Sequence, residues 1–492
     1  MNYETIIGLE VHAQLLTKSK MYCRCSTDYA STPPNTHVCP VCMGMPGVLP
    51  VINKQAVEYT MMTALALNCP VSEYTRFDRK NYPYPDLMKG YQISQKDAPI
   101  GKEGHITIEV DGVTKQIGIN HVHLEEDVAK LLHRSSRDGE DYSLVDVNRS
   151  GVPLMEIVSE PDLRTPEEAR QYLIKLRSIL QYLGVSTGNM EEGSFRCDAN
   201  ISVRPTGTAE LGPKVEVKNL NSFKAVYLAM EYEAQRQRKA ATDGKKLFQE
   251  TRGWVEDKGK TVSQRSKEYA HDYRYFPEPD LPPLTISRNW VEEVKAKLPE
   301  MPEARRDRFM AEYGLSSASS TQITSSKGMA DYFEESVKSD KEVDPKAISN
   351  WLIGEAIHII NSNNIDINEF RNRIEPAQTS RIIRLSTEGI INIPTAKSVY
   401  VGMYNTGRSA DEIIKERGLS QISDTQELEK IVVEVINSNA QPVADYRAGK
   451  EEALKFLVGQ VMRATRGRAN PKLVNEVLKQ RLAEASNPAG GE

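Results

Sequence analysis

Along several short segments in the first half of this chain, apolar and polar residues alternate one for one. A period of two fits a β-strand with one face buried and one face open. In Leu9-Glu10-Val11-His12, the acid and the imidazole share one face while Leu9 and Val11 take the other. His121, His123 and Glu125 alternate in the same way with Val122 and Leu124, and Glu156 stands alone inside Leu154–Val158. Asp198, Asn200 and Ser202 alternate with Cys197, Ala199, Ile201 and Val203, and Glu216 and Lys218 alternate with Val215 and Val217. A single acid on the open face of an antiparallel strand is ordinary. If these strands lie in one sheet, however, they build a surface of carboxylates and imidazole that repels itself unless cations neutralise it. Hard oxygen ligands of this kind suit Mg²⁺, which bridges carboxylates to phosphate oxygens.

The first part, residues 1–293, is strand-rich: strands are expected at Tyr3–His12, Ile106–Val110, Ile117–Glu125, Ser143–Val147, Leu154–Val158, Arg196–Val203 and Lys214–Val217. Asp111-Gly112 predicts a two-residue hairpin turn, and Asp138-Gly139 a further turn. One helix is written out in full: Thr165 as N-cap, Pro166 at the first position, Glu168 closing a capping box, and a Leu173, Leu176, Ile179, Leu180, Leu183 stripe ending at Gly184. A second helix starts at Asn53. After the Pro-rich segment Phe276–Pro283 the pattern turns helical, giving a middle region over 294–400 and a tail over 401–492. The Ser/Thr-rich run Ser316–Ser326 reads as a loop between helices. The fold class is therefore α+β: an N-terminal, mainly antiparallel sheet domain followed by all-helical domains.

Four cysteines fall within twenty residues, as Cys23-Arg-Cys25 and Cys39-Pro-Val-Cys42. Two short pairs separated by a loop supply four thiolates for a structural Zn²⁺, and four protein ligands leave no open position for chemistry. His37 is a possible substitute ligand, while Cys69 and Cys197 read as core residues. No apolar run reaches the ~18 residues of a membrane span, and the N-terminus lacks a signal-peptide pattern, so a cytoplasmic protein is expected. The net charge of −5 argues against a globally basic nucleic-acid binder. Near the end, though, Arg463, Arg466, Arg468, Lys472, Lys479 and Arg481 face only one acid, Glu476. The three arginines and Lys472 fit phosphate contacts to a folded RNA, or alternatively a solvated helix face. No phosphate-binding P-loop is present. Gly188 to Gly193 has the spacing but is followed by Ser194-Phe195, and Gly259-Lys260-Thr261 lacks its first glycine, Trp254 standing in that place.

Long strings in the chain resemble the family of B subunits of aspartyl/glutamyl-tRNA(Asn/Gln) amidotransferase. They include Ile7-Gly-Leu-Glu-Val-His12, Phe77-Asp-Arg-Lys-Asn-Tyr82, Tyr91-Gln-Ile-Ser-Gln95, Leu124-Glu-Glu-Asp127 and Pro153-Leu-Met-Glu-Ile-Val-Ser-Glu-Pro-Asp162. Further matches are Met190–Ser202, Lys218-Asn-Leu-Asn-Ser-Phe223, Asp272–Asp280, Leu457-Val-Gly-Gln-Val-Met462 and Ala469-Asn-Pro471. The resemblance implies a glutamine-synthetase-like cradle, a helical domain and a helical tail that contacts tRNA. It implies that ATP phosphorylates the side-chain carboxylate of Glu-tRNA(Gln) or Asp-tRNA(Asn), and that ammonia then displaces phosphate. The ammonia comes from a partner amidase subunit, whose Ser-Ser-Lys machinery this chain lacks, and a small third subunit completes a heterotrimer. On this resemblance Glu10, His12, Glu125, Glu156, Asp198 and Glu216 are the catalytic candidates, the first five as Mg²⁺ ligands. Asn200, Ser202, Lys89 and Arg204 are candidates for nucleotide or phosphate contact. Some family members lack the four cysteines, so the zinc is an optional structural feature.

Two other readings share parts of this pattern. A stand-alone amide ligase for a small carboxylic acid needs the acid-lined sheet but not the basic tail. A non-catalytic tRNA-binding scaffold needs the tail but not the sheet.

Overall fold

The computed structural model describes residues 2–136, 138–266, 273–419, 425–465, 469 and 471–484. The chain forms two compact units, Met1–Pro302 and Glu303–Glu492.

In the first unit, eight strands among the described residues form one sheet. Their spatial order is Lys260–Ser266, Glu250–Val255, Val215–Leu220, Phe195–Pro205, Tyr3–Gln14, Pro153–Ser159, Val113–Glu126 and Gly101–Val110. Neighbours run antiparallel except Val215–Leu220 and Glu250–Val255, which run parallel. The expected strands are present and most are longer than the alternation alone marks, but the one expected at Ser143–Val147 runs from Asp141 to Asp146 and pairs with Lys130–Ser135 in a separate two-stranded sheet. The Asp111-Gly112 turn has positive φ at both residues, 52° and 77°, the backbone of a type I′ hairpin.

Alternation sorts the two faces as the sequence pattern requires. Ile7, Leu9, Val11 and Ala13 are buried, as are Val122, Leu124, Met155, Ile157, Cys197, Ala199, Ile201, Val215 and Val217. This face packs on the helices Lys54–Ala66, Pro166–Leu183 and Phe223–Thr242 in one core. Burying a Leu, Ile or Val side chain stabilises by about 1.5–3 kcal/mol. A one-residue slip of a strand forfeits every such burial along it, so the register is strongly specified.

The helix Pro166–Leu183 is capped as its sequence requires: Thr165 accepts from the Glu168 N–H, and Gly184 takes the left-handed conformation at φ 67°. The capping box is not closed in its usual form. The Glu168 carboxylate accepts instead from the Arg164 N–H at 2.7 Å and pairs with Lys115 at 2.7 Å. The Ser/Thr-rich run is not a loop but the helix Ser317–Thr324. Ser316 caps it by accepting from the Ser319 N–H, and Ser320, Ile323 and Thr324 are buried. Thr324 satisfies its hydroxyl by donating to the Ser320 carbonyl at 2.8 Å, which lets a polar sequence fill a buried helix.

All regular elements described in the second unit are helices. One apolar core runs from Phe309 to Ile414 and another from Leu428 to Leu482. Residue 400 lies within the helix Ile393–Thr406, whose Val399, Tyr400 and Met403 belong to the first of these cores. Val294, just past residue 293, is buried in the core of the sheet unit.

Gly104, on the edge strand Gly101–Val110, shows how closely the sheet packs. A Cβ there would lie 2.3 Å from the Cys69 sulfur and 2.5 Å from the Leu67 carbonyl oxygen. The carbonyl is backbone and cannot move aside, so Gly104→Ala should destabilise the sheet unit by about 1–3 kcal/mol. Denaturant unfolding followed by tryptophan fluorescence measures this, and an unchanged midpoint would contradict the packing described.

Candidate functional site

On the face opposite the apolar core, the register aligns the polar residues in rows. His123, Glu156 and His12 stand side by side across three strands, and Arg196 continues the row. The next row holds His121, Val158, Glu10 and Asp198. A third holds Gly8, Asn200, Glu216 and Thr251.

The structure brings His12, Glu125 and Glu156 into one cluster that can hold a metal ion, their ligand atoms all within 4.8 Å of one another. His12 Nε2 lies 3.3 Å from Glu156 and 3.9 Å from Glu125. Burial works to lower the His12 pKa, but the charges of Glu156 and Glu125 outweigh it and raise the group to about 9. Burial likewise works to raise Glu156, yet the charges of His123, His12 and Lys80 hold it well below the usual carboxylate range. This donor set of two carboxylates and one imidazole, gathered on the polar face of the sheet and largely buried there, fits a hard divalent cation.

The remaining candidates are distributed around this cluster. Glu10 accepts from the Asn200 side-chain amide at 2.7 Å. Asp198 and Glu216 share Lys218, at 2.8 and 3.2 Å. Burial works to lower the Lys218 ammonium, but Asp198 and Glu216 raise it above its ordinary range. Ser202 is buried and follows Asn200 on the same face by alternation. Arg204 is engaged by Glu4 at 2.8 Å and by the Ala209 carbonyl at 3.1 Å. Lys89 is not brought to the cluster. It pairs with Glu126, which points to the opposite face from Glu125, and its ammonium lies 5.5 Å from the Tyr22 ring and 5.6 Å from the Tyr91 ring. These residues line a cavity together with Cys23 and Cys42.

The sequence pattern did not mark Lys80. It lies on the short strand Asp78–Asn81, in a separate three-stranded sheet with Tyr91–Ser94 and Phe276–Pro277. Burial works to lower its pKa, but Glu125, Tyr275 and Glu156 raise it above the ordinary lysine range. Its ammonium stands 5.3 Å from the Tyr273 ring and 5.8 Å from the Tyr82 ring. Arg196 is not among the sequence candidates either, although its position on the face of Asp198 by alternation is a signal that points to it. It pairs with Asp127 at 3.1 Å, and Asp127 also accepts from Gln14 at 2.7 Å.

The sulfurs of Cys23, Cys25, Cys39 and Cys42 all lie within 4.8 Å of one another, a second cluster that can hold a metal ion. A hydrogen bond from Cys23 holds the Cys42 thiol below its ordinary range, while burial pushes Cys25 up. The ammonium of buried Lys20 donates to the His37 carbonyl at 2.9 Å, tying the loop down from below. In the tail, Arg463 lies on the helix Glu452–Ala464 and Lys472 on the helix Pro471–Glu484, while Arg466 and Arg468 lie outside the described residues. Among the described residues no helix is long and apolar enough to cross a membrane.

The sheet and its face define an α+β protein that presents a cation-ready carboxylate–imidazole cluster. Residues 5–292 match the family described as GatB/GatE catalytic domain, and residues 331–482 match the GatB domain. The B subunit of the aspartyl/glutamyl-tRNA(Asn/Gln) amidotransferase of Dehalococcoides mccartyi is 60% identical over 490 residues, covering 98% of this chain and 99% of that protein. The proteins of the same name from Carboxydothermus hydrogenoformans and Thermomicrobium roseum are each 53% identical, over 98% of this chain and 99% of their own lengths. The chain belongs to the family of aspartyl/glutamyl-tRNA(Asn/Gln) amidotransferase B subunits.

The charge balance of the cluster has a measurable consequence. In the metal-free protein the His12 imidazole should titrate near pH 9 by NMR, and Glu156→Gln should move it toward the ordinary 6.5. Because the folded pKa is raised, the stability this pair contributes is full below pH 6.5 and is lost as pH rises to about 9. A midpoint at or below 6.5 in the wild-type protein would contradict the arrangement.

Proposed function

We propose that this chain carries the ATP-dependent amidation step of a tRNA-dependent amidotransferase, a glutamine-hydrolysing ligase of protein biosynthesis. The observation that carries this reading is the His12–Glu125–Glu156 cluster on the polar face of the sheet, in a chain 60% identical across 98% of its length to a protein named for that activity. The substrate is misacylated Glu-tRNA(Gln), Asp-tRNA(Asn) or both. A side-chain carboxylate is a poor acyl donor, so its oxygen first attacks the γ-phosphorus of ATP. The bond to the β-phosphate oxygen breaks, ADP leaves, and an acyl phosphate remains. Ammonia then attacks the acyl carbon, inorganic phosphate departs, and the nitrogen sheds its extra proton to give the amide.

Such a transfer requires positioning and charge neutralisation more than covalent help. His12, Glu125 and Glu156 would hold Mg²⁺, with Glu10 and Asp198 in the neighbouring row, and the ion would supply charge neutralisation for the phosphate oxygens. Asn200 and Ser202 offer neutral hydrogen-bonding groups along the same face. Lys218 keeps Asp198 and Glu216 apart from uncompensated repulsion. Lys89 and Arg204 contribute to phosphate contact only by leaving their present partners. Ammonia comes from the partner amidase subunit, and a small third subunit completes the heterotrimer. Arg463, Arg466, Arg468 and Lys472 of the helical tail contact tRNA phosphates, within a three-part plan whose boundaries move from residues 293 and 400 to the end of the sheet unit at Pro302 and to the interval between the helical cores ending at Ile414 and beginning at Leu428.

The cysteine loop holds a structural Zn²⁺ at Cys23, Cys25, Cys39 and Cys42. The Cys39 and Cys42 sulfurs stand 3.9 Å apart, close to the ~3.8 Å edge of a tetrahedron built on Zn–S bonds of about 2.3 Å. Metal analysis of the purified, tag-free chain should find about one zinc per chain. Finding none would remove this assignment and leave the sheet reading intact.

The central test follows ATP hydrolysis that depends on misacylated tRNA in the reconstituted complex. Glu125→Gln keeps the side-chain shape and removes the charge, and should lower turnover by about 10²-fold or more. Turnover near the wild-type level would favour the scaffold reading over the catalytic one.

A further inference from the structure

Glu125 and Glu156 are flanked by two imidazoles, and only one of these, His12, belongs to the cation cluster. The other, His123, is 5% exposed and occupies the equivalent position on the opposite neighbouring strand, both histidines lying across from Glu156. Glu156 presents the same oxygen to both rings, Oε2 lying 3.3 Å from His12 Nε2 and 3.4 Å from His123 Nε2. Glu125 divides its oxygens: Oε1 faces His12 at 3.9 Å, whereas Oε2 faces His123 at 3.7 Å and accepts from the Ser94 hydroxyl at 3.2 Å.

We propose that His123 is a positioning residue, which with Ser94 clamps the two glutamates from the side opposite His12 and so aims Glu125 Oε1 at the cation. The inference rests on the cation site proposed above and names what holds its ligands in place. Two further observations carry it. His123 Nδ1 is buried without a hydrogen-bond partner among the described residues, so a proton there would be a buried donor with no acceptor. The ring's donor capacity is therefore directed through Nε2, the nitrogen between the carboxylates. The ring plane is also fixed, because His121 stacks on it at 5.1 Å between centroids and 24° between planes. A carboxylate with one oxygen tied back presents the other in a fixed direction, and outer groups that do this typically change metal affinity about 10–100-fold.

Side-chain amides separate this role from mere packing. Gln can place an amide N–H near the position of Nε2, whereas Asn places one only near Nδ1. In the co-purified complex, Mn²⁺ binding read by electron paramagnetic resonance should weaken about 10–100-fold in His123→Asn. It should stay within about threefold of wild type in His123→Gln, with the thermal unfolding midpoints of both variants close to wild type. Should His123→Asn fail to fold, Ser94→Ala reads the same clamp from its other donor and should also weaken Mn²⁺ binding. Glu125→Gln is the control for the site itself and should abolish this binding. If Glu125→Gln abolishes binding but His123→Asn, or in its place Ser94→Ala, binds like wild type, the clamp is wrong while the cation site stands. Equal losses in His123→Asn and His123→Gln also overturn it. If the wild-type complex shows no Glu125-dependent Mn²⁺ binding, the cation site and the clamp fall together.

Discussion

The candidate site depends on one constraint: the pleat of a strand sends successive side chains to opposite faces, and in this sheet one face is fully committed to the core. Burial of Leu9, Val11, Ile157, Leu124 and Ala199 fixes the register of their strands. Once that register is fixed, Glu10, His12, Glu156, Glu125 and Asp198 have nowhere to go but the other face. The apolar half of each strand thereby positions the polar half. A substitution that let a strand slip by one residue would bury charge and expose core together.

Charge compensation follows from that crowding. Across the central row, imidazole, carboxylate and imidazole alternate, and the guanidinium of Arg196 continues the row before pairing with Asp127. One row away, the amide of Asn200 meets Glu10, and Lys218 stands between Asp198 and Glu216. Lys80, whose pKa Glu125 and Glu156 raise, adds a cation from a separate small sheet. The protein thus partly neutralises its own acids and leaves the cluster of two carboxylates and His12 as the place where a divalent ion would do most.

Much of this was legible because the period of a strand is strict. The alternation named the faces of Glu10, Glu125, Glu156, Asp198 and Glu216 correctly, and the caps at Thr165 and Gly184 are local enough to be read from a few residues. Convergence was not legible, because it is set by which strands are neighbours. The Leu9 N–H donates to Ser159 Oγ across 150 residues of sequence, and Asn200 reaches Glu10 across 190. Lys80 gave no signal from periodicity, because its four-residue strand has no apolar alternation, and it is present only within the family-like string Phe77–Tyr82. Lys89 is a phosphate-contact candidate on the family resemblance, yet its partner Glu126 follows Glu125 by one residue and so points the other way. The run Ser316–Ser326 was misread for a different reason: composition suggests a loop, but hydroxyls that bond back to the preceding turn let Ser and Thr sit inside a helix. Periodicity and spacing do not identify tRNA or the amide product: both come from the family resemblance that the long residue strings carry, with the basic tail as local support for RNA.

The central claim is that the acid-lined face of the sheet is where a divalent cation meets phosphate. Replacing Mg²⁺ with Fe²⁺ and adding ascorbate and peroxide cuts a backbone close to the bound metal. The account predicts cuts near residues 10–12, 123–125 and 154–158, suppressed by excess Mg²⁺ with ATP. Cuts confined to the cysteine loop or to the helical unit, with none in those three strands, would contradict it.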